Sequence, residues 1–210
     1  MSGRADRVTG STAATPFDGF PESGSIVIFD LEITAWEGSL ARNWSGPGEY
    51  MEVVQIGAVK LDAAMPMAEQ DSFEILIRPE KNPVLSDYFT ALTGITNVDL
   101  DREAVGFAEA LQAFAAFVGD ARAAYSNGGD WSDLVQNAGW AGVDWPFPPG
   151  LFSNLRETIA EALGVPNRRA VSSSLPAQLG LEEVPGAHTG LGDSRAIAAA
   201  LRQLRADGRL

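Results

Sequence analysis

An unbroken apolar run, Ile26-Val27-Ile28-Phe29, ends abruptly in Asp30-Leu31-Glu32. A strand that is apolar on both faces has to lie inside a sheet that is covered on both sides. The acidic residues stand at i and i+2, so both project from one face. Two carboxylates side by side at the end of a central strand repel each other unless a cation lies between them. An isolated Asp-x-Glu usually marks a solvated strand end; the apolar run before this one favours a cation site at the centre of the fold.

Composition limits what that site can be. The chain of 210 residues has no cysteine and one histidine, His188. Thiolate and multi-histidine centres are therefore excluded, and an oxygen-rich set favours Mg²⁺ or Mn²⁺. His188 opens the stretch His188-Thr189-Gly190-Leu191-Gly192-Asp193-Ser194-Arg195, which brings a further carboxylate five positions on. An imidazole beside a metal-binding carboxylate can take a proton from an attacking water. Asp130 lies in Ser126-Asn127-Gly128-Gly129-Asp130-Trp131-Ser132-Asp133, where a returning strand meets a helix. It can cap that helix or join the acidic site; Asp133, one turn inside and expected to face solvent, is its rival. A strand pair of carboxylates, a middle Asp and a late His-x4-Asp are the parts needed for metal-assisted phosphodiester hydrolysis.

The remaining pattern reads as one α/β domain. Strands are expected over 25–31, 53–61 and 72–77, with gaps short enough for antiparallel neighbours. Ser86 is placed to cap a short helix, and Thr93 to Asn97 read as a turn. An Ala-rich helix is expected over Arg102–Val118, a brief strand over Ala121–Ser126 and a helix over Asp130–Ala138. A Trp/Pro-rich loop follows, then helical stretches near Asn154–Leu163 and Ser174–Leu179, and a last helix over about Gly192–Leu204. Residues 1–24, rich in Ser, Thr, Gly, Ala and Pro, read as a flexible leader, with 25–210 as the catalytic domain. No stretch has the ~20 apolar residues that span a bilayer, so no membrane partner is expected and a cytoplasmic protein is.

The net charge of −13 speaks against coating nucleic acid through the overall field, but not against gripping one strand in a local groove. Arg78, Lys81 and Arg195 are candidate phosphate contacts, and Trp131 or Phe29 could stack near a terminal base. Two local patterns are set aside. Gly192-Asp193-Ser194 looks like a serine-hydrolase motif, but no histidine follows it. Asp99-Leu100-Asp101 sits in a polar turn and reads as helix capping.

The order Asp30-x-Glu32, Asp130, His188-x4-Asp193 resembles the DEDDh branch of the DnaQ-like 3′–5′ exonucleases. Flanking blocks narrow the resemblance to the Eri-1-like group: Glu52-Val53-Val54-Gln55-Ile56-Gly57-Ala58-Val59, Arg78-Pro79 and Leu85-Ser86-Asp87-Tyr88-Phe89-Thr90-Ala91-Leu92-Thr93-Gly94-Ile95-Thr96. The resemblance implies an RNase H-like fold with a five-stranded mixed sheet flanked by helices, and two divalent ions, Mg²⁺ or Mn²⁺. By the same resemblance Asp30, Glu32 and Asp193 would hold one ion, Asp30 and Asp130 the second, and His188 would be the general base. The implied substrates are 3′ ends of single-stranded nucleic acid, with RNA favoured over DNA. A binding module of this fold without catalysis and a phosphodiesterase for small oligonucleotides are the alternatives. The family often carries an acidic residue where Gly192 stands, and here the chain departs from it.

Overall fold

The computed structural model describes residues 20–210. Its centre is β1 (Ser25–Ile33), third in a five-stranded mixed sheet of order β3-β2-β1-β4-β5. β2 (Val53–Asp62) pairs antiparallel with β1, and β3 (Glu69–Leu76) antiparallel with β2. β4 (Ala124–Ser126) and β5 (Phe152–Asn154) continue the sheet in parallel on the other side of β1. The apolar run of β1 is fully buried because helices cover both faces.

The alternation along β1 divides the core. Val27, Phe29 and Leu31 pack against α3 (Phe107–Val118) and α4 (Asp130–Ala141) through Leu111, Phe114, Leu134 and Ala138. Ile26 and Ile28 face the opposite layer, where α5 (Arg156–Leu163) supplies Ile159 and α7 (Gly190–Ala206) supplies Ile197, Leu201 and Leu204. Asp30 and Glu32 continue the even-numbered register of Ile26 and Ile28, and so turn toward the start of α7. A smaller cluster of Val54, Leu85, Phe89, Ile95 and Leu100 seats α1 (Asp87–Thr93) and α2 (Asn97–Glu103).

Ser86 caps α1 by accepting the Phe89 amide. The helix expected over Arg102–Val118 is two helices. Thr96 and Asp99 close a capping box that starts α2 at Asn97, and the chain leaves the helix at Ala104. Val105 then makes a one-residue sheet contact: its amide donates to the Leu76 carbonyl at 3.0 Å and its carbonyl accepts the Arg78 amide at 2.9 Å. Those sheet partners outweigh the helical preference of an Ala-rich stretch, in which local composition alone favours continuity. β5 went unanticipated because three residues carry no readable alternation. The short α6 (Leu175–Gln178) and α7 fall where helices are expected; α7 starts two residues before Gly192 because Thr189 accepts the Gly192 amide at 3.1 Å.

Most of the leader expected over 1–24 lies outside the described residues. Phe20 stacks on Tyr125 with ring centroids 5.2 Å apart. No helix among the described residues is long and apolar enough to cross a membrane.

Candidate active site

The ends of β1 and α7 meet. One carboxylate oxygen each from Asp30, Glu32 and Asp193 lies within 4.8 Å of the others. Asp30 and Glu32 are half-buried at the strand end; Asp193 is buried in the first turn of α7.

Backbone contact makes this approach possible. Gly57 of β2 is the register partner of Asp30. A Cβ on Gly57 would sit 1.9 Å from the Leu191 amide nitrogen, and one on Gly190 would sit 2.9 Å from the Asp30 carbonyl. With no side chain at either position, the start of α7 lies directly on the β1–β2 pair. Polar groups fix the contact. Gln55 accepts the Gly190 amide at 2.8 Å, and the buried Ser194 hydroxyl lies 2.9 Å from the Gly57 carbonyl and 2.7 Å from that of Gly190. Ser194 is thus a docking residue, in keeping with dismissal of the serine-hydrolase pattern. Gly192 is similarly constrained: its Cβ would fall 1.9 Å from the Gly186 carbonyl oxygen, so this chain has no room for a side chain there.

β4 and α4 bring in Asp130. The cap position belongs to Gly129, so Asp130 is the first helical residue rather than the N-cap. Its charge raises the pKa of both Asp30 and Glu32. Asp133 is half-buried rather than turned to solvent, and burial, then Asp130, pushes it up to about 6. Sequence reasoning passed over Asn127 and Ser172. The Ser172 hydroxyl donates to Asp30 at 3.3 Å, and Asn127 donates through Nδ2 to the Ala170 carbonyl at 2.8 Å and to Ser172 at 3.3 Å. These contacts span more than forty residues, beyond the reach of any periodicity. The Arg156 guanidinium donates to the Asn127 carbonyl at 2.8 Å and draws the Asp130 pKa down against the dominant effect of burial.

His188 is exposed in the turn before α7, with φ of +62°. Left-handed backbone is uncommon for a residue with a Cβ, though histidine tolerates it better than most. Its charge and its backbone amide hold the Asp193 pKa down against the larger effect of burial.

Like charges crowd one another in the cluster. Burial first, then Asp130, Asp193 and Glu32, raises Asp30 well above the carboxylate range; burial, Asp193 and Asp130 push Glu32 to about 8. Asp193 Oδ1 is buried without a hydrogen-bond partner. Converging hard oxygens with one orphaned lone-pair donor fit a divalent cation, which would remove the repulsion and satisfy that oxygen.

The other expected contacts fare unequally. Phe29 is fully buried between the sheet and α3, so it cannot stack on a base. Trp131 is 41% exposed beside Asp130 and is free to do so. Arg78 pairs with Asp101 at 3.0 Å and Arg195 with Glu69 at 2.8 Å. Lys81 lies over the rings of Tyr50 and Trp140. Asp99 serves the capping box, as expected.

Comparison with known proteins follows the same lines. Residues 27–201 match the RNase_T exonuclease family model. The 3′-5′ exoribonuclease 1 of Rattus norvegicus is 25% identical over 193 residues, covering 87% of this chain and 53% of the relative. The chain spans between about a tenth and about half of the length of the curated relatives it matches. Among solved structures, the nuclease domain of 3′hExo, a DEDDh family member bound to rAMP, superposes with a TM-score of 0.75 at 24% identity, covering 93% of this chain and 96% of that one. E. coli exonuclease I in complex with a dT13 oligonucleotide gives a TM-score of 0.66 at 12% identity over 86% of this chain and 41% of that one. The sheet and its flanking helices form the RNase H-like fold that these nucleases share. With a family match running from the central strand into the last helix, the chain belongs to the RNase_T exonuclease family.

Proposed function

We propose that residues 25–210 are a metal-dependent 3′–5′ exonuclease domain acting on the 3′ ends of single-stranded RNA, or of short DNA. The observation that carries this reading is the convergence of Asp30, Glu32 and Asp193 within 4.8 Å, with one Asp193 oxygen buried and unpartnered. These three would hold one Mg²⁺ or Mn²⁺, and Asp30 with Asp130 a second. Bound there, such ions supply Lewis-acid activation of water and neutralise charge on the transferring phosphate. The protein's own part is positional. Ser172 orients Asp30 through its hydroxyl. The exposed imidazole of His188, five residues before Asp193, takes the proton from the attacking water as general base. The preference for RNA is supported by the rat relative, an exoribonuclease, and by the rAMP bound to the nuclease domain of 3′hExo.

The test is a 5′-labelled single-stranded oligonucleotide, as RNA and as DNA, with and without Mn²⁺. A ladder that shortens with time, metal-dependent and faster on RNA, is expected. A cut circle or a single internal cut sinks the exonuclease reading. Binding without cleavage points to a binding module, and cleavage confined to two- or three-nucleotide substrates to a small-oligonucleotide phosphodiesterase.

A further inference from the structure

An aromatic and cationic platform lies at the carboxylate end of the sheet, outside the acidic cluster. The rings of Tyr50 and Trp140 meet edge to face with centroids 5.8 Å apart, and they are 44% and 38% exposed. The Lys81 ammonium stands 5.1 Å from the first ring centroid and 5.2 Å from the second. None of the ion pairs among the described residues uses Lys81, so in a chain of net charge −13 this cation is offset by π-faces rather than by a carboxylate.

The platform is held rigidly. The buried Glu52 carboxylate accepts the amides of Glu80 and Lys81 at 2.7 Å and of Asn82 at 2.6 Å. Asn137 accepts the Val53 amide at 3.1 Å and donates to the Met51 carbonyl at 2.9 Å, which ties α4 to the segment that carries Tyr50. The Thr34 hydroxyl donates to the Tyr50 carbonyl, and Thr34 is two residues beyond Glu32. Asp133, Asn137 and Trp140 share one face of α4 at helical spacing. The same helix therefore begins at the acidic cluster and ends at the platform, ten residues or about 15 Å along its axis.

We propose that Tyr50, Trp140 and Lys81 form a subsite for the upstream nucleotides of a single-stranded nucleic acid whose 3′ end lies at the acidic cluster, an inference that rests on the exonuclease reading above. The rings stack on bases, which is sequence-tolerant because every base has a π-face, and the ammonium meets a phosphate. At ~3.4 Å per stacked nucleotide, the separation corresponds to about four nucleotides, and fewer in an extended strand.

The experiment measures binding of 5′-fluorescent oligouridylates of two to ten nucleotides by anisotropy in Mg²⁺, in an Asp30→Asn background that stops turnover. Affinity should rise with length. The Tyr50→Ala, Trp140→Ala pair should bind the decamer about ten-fold more weakly, as expected for lost stacking. Lys81→Gln should flatten the log–log salt dependence by ~0.7, as for one phosphate contact on a single strand. Trp140→Phe should keep most of the affinity and Trp140→Leu should lose it; this pair decides the matter if the double variant does not fold. Equal affinity in Trp140→Phe and Trp140→Leu, or no gain with length, overturns the subsite. The unmodified chain is assayed separately for cleavage with Mn²⁺. No cleavage alongside ring-dependent binding sinks the exonuclease reading alone, whereas cleavage alongside ring-independent binding sinks the subsite alone.

Discussion

Asp30 is a half-buried carboxylate with three acidic neighbours, and its cost to the metal-free protein can be measured. Asp30→Asn should raise the melting temperature by a few degrees without metal, at about 2–4 °C per kcal/mol for a domain of this size, while abolishing turnover. The pH dependence follows from Glu32, whose carboxyl is pushed up to about 8 in the fold against ~4.3 when unfolded. Between those values the folded state binds more protons, so stability without metal should fall as pH rises from about 4.5 to about 8. A cation must displace those protons. The rise in melting temperature on adding Mn²⁺ should therefore be larger at pH 8 than at pH 6; an increment that shrinks with pH would contradict the ligand assignment. His188 separates chemistry from folding. Because its φ is +62°, His188→Gly should keep or slightly raise stability while turnover falls ~10²–10⁴-fold. Unchanged turnover in that variant, with the Mn²⁺ shift intact, would make the imidazole a bystander.

At the scale of elements, the site depends on how closely α7 approaches β1 and β2. Gly57→Ala places a methyl group where the Leu191 amide now lies, and Gly192→Asp drives a side chain into the Gly186 carbonyl. Each should cost about 1–3 kcal/mol, typical of overpacking, and weaken Mn²⁺ binding because Asp193 moves with its helix. Gly139, in α4 with open space around it, is the control: Gly139→Ala should be neutral or stabilise by about 0.5–1 kcal/mol. Thermal melts and calorimetric Mn²⁺ titration read both effects. Normal metal affinity in Gly57→Ala would show that the helix approach does not set the site.

The whole molecule carries a net charge of −13, so its field repels polyanions and binding has to be local. With Lys81 the one cation proposed to meet a phosphate and a slope of about −0.7 per contact, KM for a single strand should change less than about three-fold between ~50 and ~200 mM salt. Duplex ends should be poor substrates by comparison. A steep salt dependence, measured on the same oligonucleotide, would mean a longer basic track than these surfaces provide.

β1, its carboxylate pair, the oxygen-rich character of the site and the late His-x4-Asp were legible in the sequence, because each is written in residues close along the chain. Burial of 26–29, the antiparallel pairing of β1, β2 and β3, and the apolar face of α7 follow from periodicity and gap length. The rest depends on residues far apart in sequence. The tertiary structure let the charge of Asp130 act on Asp30 and Glu32, and buried Phe29 while leaving Trp131 exposed. It broke the Ala-rich helix at Val105 to satisfy a sheet contact, and added β5 from three residues. It brought Ser172 to Asp30 across 142 positions and seated Lys81 on Tyr50 and Trp140. The physical reason is common to all of these: local pattern fixes which face of a strand or helix is apolar, whereas the partner across the layer is chosen by packing and by buried polar groups finding hydrogen bonds.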